Sequence, residues 1–186
     1  VSVPWITHLS VQTPYFENIQ DWREKYQKPV IIDECVYEGD LPNDWGNLPA
    51  EELVHRFWIA YMRGAYCTHG ETYDNPEKIL WWSKGGKLYG QSPDRIAFLH
   101  TIMTQAPENG LVPLHNLWNK EMSLYKEGEY YLYYYGINQQ KYAKIYLPKN
   151  IKFTVEVIDA WNMTITPVDG VFSGETDIPL PGSNYI

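Results

Sequence analysis

Hydrophobic and polar positions divide the chain into two unlike halves. Residues 5–11 (WITHLSV) form a short, mostly apolar run that predicts a strand. Tyr15, Ile19, Trp22 and Tyr26 then recur at helical spacing, with Glu17, Asp21, Arg23 and Lys25 between them, which predicts an amphipathic helix. Lys28-Pro29 ends it, because the residue before proline is pushed out of the α region. Val30-Ile31-Ile32-Asp33-Glu34 is a β-branched run that stops in two carboxylates. Residues 37–49 carry glycine, proline and asparagine and predict a loop. A second helix is predicted over Ala50–Arg63, with Leu53, Phe57, Ala60 and Tyr61 on one face and Gly64 as its stop signal. Ala65–Tyr73 predicts a third strand. After a Trp/Gly-rich loop at 74–91, Ser92-Pro93-Asp94 opens a third helix with Ile96, Leu99, Ile102 and Met103 inward.

The order β-α-β-α-β-α, with strands apolar on both faces, predicts a parallel sheet. Beyond Pro107–Pro113 the pattern changes to short strands at 122–126, 129–135, 142–147, 152–159, 163–166 and 175–180, separated by turn signals such as Asp169-Gly170 and Ser173-Gly174. Ala143, Ile145 and Leu147 alternate with Tyr142, Lys144 and Tyr146, and Phe153, Val155 and Val157 share a face. That alternation predicts an antiparallel β-sandwich. The expected class is α/β plus all-β, with domains at 1–112 and 113–186.

Composition narrows the functions. Fifteen Lys and Arg against 23 Asp and Glu leave a net charge of −8, so no basic surface offers itself to nucleic acid. No apolar run approaches the roughly 20 residues of a membrane-spanning helix. Cys35 and Cys67 are the only cysteines, and neither has metal-ligand spacing. Two cysteines without a disulfide framework favour a reducing, cytoplasmic setting. No cofactor motif is present. The chain opens VSVPWITHLSVQ, with neither an initiator Met nor a signal peptide, and is expected to be a piece of something longer. Aromatic residues make up 16%, and half of the 16 tyrosines lie between Tyr125 and Tyr146. Tyr and Trp suit cores and sugar-stacking surfaces alike.

The chemistry-bearing residues gather at predicted strand ends. His8 and Gln12 flank the first strand, Asp33 and Glu34 end the second, and His69 and Glu71 end the third. In parallel α/β barrels that edge carries the active site, although strand-end polar residues also serve as loop caps. With Val30 and Ile32 inward, period-2 alternation turns Glu34 inward at the rim, where a carboxylate can attack an anomeric carbon or act as a general acid. Asp33 then faces the other way, as a structural group. Cys35 is read as packing. His69 and Glu71 share a strand face and either bind sugar hydroxyls, orient Glu34 or hold the rim. Tyr37 and Tyr73 follow the carboxylate-bearing strand ends and can orient Glu34 through their hydroxyls. Trp45, Trp81 and Trp82 lie in the rim loops as stacking platforms or loop anchors.

The run KPVIIDE resembles the seventh strand of retaining glycoside hydrolases of the (β/α)8 superfamily. KPVIIDECVYEGD, FWIAYMRGAYCTHGETY and WWSKGGKLYGQSPDRIAFL together resemble the C-terminal barrel segments of the apiosidase-like family, and VEVIDAWNMTITPVDGVFSGETDIPLPG resembles the small β domain that follows. The resemblance implies about strands six to eight of a TIM barrel followed by a small antiparallel β-sandwich. It implies a glycoside or oligosaccharide substrate and Glu34 as the nucleophile of a double displacement; no metal is expected, because no PCxxC follows the His69–Glu71 pair. It places the acid/base residue upstream, outside these residues, so the chain alone is expected to be inactive. The exposed barrel edge then calls for the missing N-terminal barrel portion or another chain to cover it. The rival expectation is a non-catalytic carbohydrate-binding or interaction module that uses the Tyr-rich sandwich through Tyr133 or Tyr134.

Overall fold

The computed structural model describes residues 2–74, 87–115 and 122–186. Contacts divide the chain into two compact units, Val1–Ala97 and Phe98–Ile186.

In the first unit, β1 (Leu9–Gln12), β2 (Val30–Glu34) and β4 (Tyr66–Cys67) form a parallel sheet in the order β1-β2-β4. Leu9 pairs with Val30 and Ile32 with Cys67. Val30 and Ile32 are fully buried, as the β-branched run requires. The helices are α1 (Ile19–Tyr26), against β2, and α2 (Ala50–Met62), against β4 and the two-residue strand β3 (Glu38–Gly39). Leu53, Val54, Phe57, Trp58, Ala60 and Met62 give α2 its buried face. Burying each Leu or Phe side chain contributes about 1.5–3 kcal/mol.

The stop signal at Gly64 works as predicted. Gly64 has φ 73°, its N–H reaches Tyr61 O at 2.8 Å, and the Ala65 N–H reaches Ala60 O at 2.9 Å. These two bonds are the Schellman pattern. A Cβ on Gly64 would come 2.7 Å from Cζ of Arg23, whose guanidinium donates to Arg63 O at the α2 C-terminus. Gly64→Ala is therefore expected to cost about 1–2 kcal/mol, more than the ordinary Gly-to-Ala difference, measured as a lower urea midpoint.

Four expectations shift. The first strand begins at Leu9 rather than Trp5, and the first helix at Ile19, after a turn in which the Tyr15 N–H bonds to Thr13 Oγ1 at 3.0 Å. The single strand expected at 65–73 is two, β4 and β5 (Glu71–Thr72), in different sheets. β5 pairs in parallel with β3, so the predicted loop 37–49 contributes a strand. Gly39 permits this approach, since a Cβ there would lie 2.3 Å from Thr72 O.

The third helix, α3 (Ser92–Gln105), starts where its sequence signals place it. The second unit is antiparallel. β6 (Val112–His115), unanticipated from sequence, pairs with β7 (Met122–Lys126), which pairs with β8 (Tyr130–Tyr134). β9 (Tyr142–Tyr146) pairs with β12 (Glu175–Pro179), and β10 (Phe153–Asp159) with β11 (Thr164–Phe172). Ala143 and Ile145 point inward and Tyr142 and Tyr146 outward, the predicted alternation. Tyr135, Leu147 and Ile178 complete that core, with Phe153, Val155 and Val157 packed on it. β11 runs through the Asp169-Gly170 turn signal instead of stopping. Gly170 has φ 120°, and the register slips between Phe153 and Val155, so the extra residues form a bulge.

The fold is mixed and strand-rich, and its described strands close no barrel. No described helix is long and apolar enough to cross a membrane.

Candidate functional site

The C-terminal edge of the parallel sheet carries Gln12 and Glu34, which are paired in register. Glu34 is exposed, and the Tyr37 hydroxyl hydrogen-bonds its carboxylate. Burial, the Glu34 charge and this bond push the Tyr37 phenol up to about 12, so at neutral pH it stays a donor. Trp45 stands edge-on to Tyr37, with ring centroids 6.3 Å apart, and is 44% exposed. Glu34, Tyr37 and Trp45 thus form one accessible group. Asp33 faces away as expected. It accepts from Ser10 Oγ, and its backbone carbonyl accepts from Thr68 Oγ1 at 2.6 Å.

His8 does not join this group. It precedes β1, at the opposite edge of the sheet, and its Nδ1 lies 3.0 Å from Thr7 Oγ1. Trp81 and Trp82 lie outside the described residues.

A second cluster centres on a residue the sequence did not single out. Glu38 is fully buried. Its Oε1 accepts from Tyr73 Oη at 2.7 Å and from the Gln91 N–H at 2.8 Å. Its Oε2 accepts from the Ser92 N–H at 3.0 Å and from Ser92 Oγ. Beside it in register stands Glu71, 2% exposed, whose oxygens take the Tyr89 and Gly90 N–H groups at 2.6 and 2.8 Å. Four consecutive N–H groups, those of the three residues before α3 and of its first residue Ser92, thus hold two carboxylates. Gly90 leaves the space, since a Cβ there would sit 2.4 Å from Glu38 Oε2 and 2.7 Å from Glu71 Oε2. Burial alone would push the Glu38 carboxyl up. The bonds from Ser92, Tyr73 and Gln91 outweigh it and hold the group below its ordinary 4.5.

His69 Nε2 lies 3.1 Å from Ser92 Oγ. The Ser92 hydroxyl hydrogen is committed to Glu38, so the neutral imidazole donates from Nε2. Burial lowers the His69 pKa despite the opposing charges of Glu71 and Glu38. Glu38, His69 and Glu71 each offer one ligand atom within 4.8 Å of the others, a spacing that suits a divalent cation. Both Glu38 oxygens already accept two donors, however, and a cation would have to displace them. The cluster is a hydrogen-bonded hub.

The hub corrects two expectations. Tyr73 serves Glu38, whereas Tyr37 serves Glu34. Glu71 gives both oxygens to backbone N–H groups and anchors the segment leading into α3, rather than presenting an oxygen outward. Sequence reasoning missed Glu38 because its partners lie 35 and more residues away. The one local signal was a Glu-Gly pair in a loop.

Residues 118–186 match a family model described as a domain of unknown function, DUF5605. No curated protein matches the chain. A solved structure from Bacteroides vulgatus, proposed to be a glycoside hydrolase, superposes with a TM-score of 0.87 at 30% identity, over 98% of this chain and 40% of its own. The chain resembles part of a glycoside hydrolase. A family 5 glycoside hydrolase from the same organism gives 0.67 at 16% identity, over 97% of this chain and 49% of its own. A third glycoside hydrolase gives 0.64 at 14%, over 89% and 43%. These last two speak to the fold alone. The chain spans less than half the length of each of the three.

Proposed function

We propose that this chain is the part of a longer retaining glycoside hydrolase that supplies its nucleophile, Glu34. The observation that carries the reading is the contrast between three carboxylates. Glu38 and Glu71 are buried and saturated with donors, whereas Glu34 stands exposed at the C-terminal end of a parallel strand, beside a phenol and an accessible indole. The likeness to glycoside hydrolase structures agrees with it.

In this reading a Glu34 oxygen attacks the anomeric carbon as the glycosidic bond breaks. The leaving oxygen takes a proton from a carboxylic acid outside these 186 residues. Water then hydrolyses the glycosyl ester, giving its proton back to that acid. Tyr37 steadies the Glu34 carboxylate, and Trp45 offers its face to a sugar ring. Residues 1–112 belong, in the same proposal, to the barrel around strands six to eight of an apiosidase-like enzyme, and 113–186 to a trailing sandwich. Tyr134 is buried and presents no open ring face to a carbohydrate, and Tyr133 is half-buried against the core of the second unit.

The test is covalent. The full-length enzyme is treated with a panel of fluorosugar inactivators that leave a slowly hydrolysed ester, and the labelled peptide is sequenced. Label on Glu34 is expected, and label on any other carboxylate overturns the assignment. The 186-residue chain alone is expected to show no turnover on aryl glycosides. Measurable turnover would show that the acid/base group lies within it.

A further inference from the structure

The residue after Glu34 has a partner that the glycosidase reading does not use. Cys35 is 1% exposed, whereas Cys67, the last residue of β4, is partly accessible. The Cys67 thiol donates to Cys35 Sγ across 3.2 Å. The two are separated by 32 residues of sequence and come together because β2 and β4 are neighbours in the sheet, with Ile32 opposite Cys67. Just beyond Cys35 the chain turns at Val36, whose φ of 76° is rare for a β-branched residue. Hydrogen bonds from the Tyr37 N–H to Trp45 O, and from the Leu48 N–H to Tyr37 O, hold that turn. Arg56 donates to the Cys35 carbonyl and brings its charge close to the sulphur.

We propose that Cys35 and Cys67 are a redox pair that closes reversibly into a disulfide by exchange with a small-molecule disulfide. A disulfide bond is about 2.05 Å long, so the sulphurs need to approach by only about 1 Å. The exchange runs in two balanced steps. The accessible Cys67 sulphur attacks the external disulfide, forming a mixed disulfide and releasing one thiol, which carries away the proton. Cys35 then attacks the Cys67 sulphur, closing the internal bond and releasing the second thiol with its proton. The protein pair is oxidised and the external disulfide reduced to two thiols. The Arg56 charge stays beside Cys35 once Cys67 has reacted and favours the thiolate of the second step, whereas burial and the bond to Cys35 hold the Cys67 thiol above its ordinary range beforehand. The bond ties the neighbour of Glu34 to β4. Any effect on hydrolysis rests on the function proposed above, whereas the thiol chemistry does not.

The test reads the thiols alone. The chain is incubated with oxidised glutathione, alkylated and mapped by mass spectrometry. Loss of two hydrogens in a peptide linking Cys35 to Cys67, reversed by excess reduced glutathione, is the expected result. Cys35→Ser should stop at a stable glutathione adduct on Cys67, and Cys67→Ser should leave Cys35 unmodified. A wild-type chain that keeps both thiols, accumulates the glutathione adduct, or links two chains instead overturns the proposal. So does a Cys67→Ser chain modified at Cys35 as fast as the wild type reacts.

Discussion

Glu38→Ala is expected to remove about 3–5 kcal/mol of stability, the range seen when one side of a buried charged interaction is deleted. Domains hold only about 5–15 kcal/mol in all, so a large part of the first unit's stability is at stake. The reason is the number of donors left behind. The N–H groups of Gln91 and Ser92 and the hydroxyls of Tyr73 and Ser92 all converge on this one carboxylate. Each buried donor without an acceptor costs about 1–3 kcal/mol. The negative charge at the start of α3 goes too. Glu38→Gln fits the space but sets an NH2 donor against donors, so it should fall nearly as far. Urea titration followed by circular dichroism measures both, and midpoints equal to wild type would contradict the hub.

The pH dependence separates charge from shape. The folded Glu38 pKa lies below its ordinary 4.5, so its contribution is complete above that value and is lost as pH falls toward the folded pKa. The His69 pKa is also depressed on folding. The unfolded chain therefore binds that proton first, and stability falls on acidification below about 6.5. Both groups act in one direction, so the wild type should lose stability in two stages as pH falls from neutrality. Glu38→Gln should flatten the more acidic stage.

Glu34→Gln should do the opposite, leaving the fold and removing the chemistry. Turnover by the full-length enzyme is expected to fall on the order of 10⁴-fold or more, about 5 kcal/mol of transition-state stabilisation, as when other enzymes lose a nucleophile. Glu34 is exposed at a strand end, and exposed positions of this kind shift stability by about 0.5 kcal/mol or less. In Glu34→Ala, azide can occupy the vacated space and attack the anomeric carbon, so activated glycosides should yield glycosyl azide. Turnover within tenfold of wild type in Glu34→Gln would remove Glu34 from the mechanism.

The two glutamates also mark how far the sequence could be read. Glu34 was legible because its neighbours repeat on a local period. Val30 and Ile32 bury one face of β2, and the run simply stops at the carboxylates. The same local logic located α2, its Gly64 cap, the start of α3 and the in-out alternation of β9. Glu38 was not legible. It sits in a two-residue strand with no hydrophobic period, and its pairing partner, Glu71, is 33 positions further along the chain. For His69 and Tyr73 the residue types were informative but their partners were not, since both serve Glu38 and Ser92 rather than Glu34. The Asp169-Gly170 signal announced a turn, and β11 absorbed it as a bulge.

Sequence alone determined what depends on neighbours a few residues apart: helix faces and stops, strand alternation, and a carboxylate at a strand end. Tertiary structure decided which carboxylate is exposed and which are spent on backbone N–H groups. It also brought Cys35 and Cys67 within 3.2 Å. The physical reason is that burial and hydrogen-bond saturation are set by contacts between distant segments. A glutamate has the same local pattern whether its oxygens face water or four protein donors.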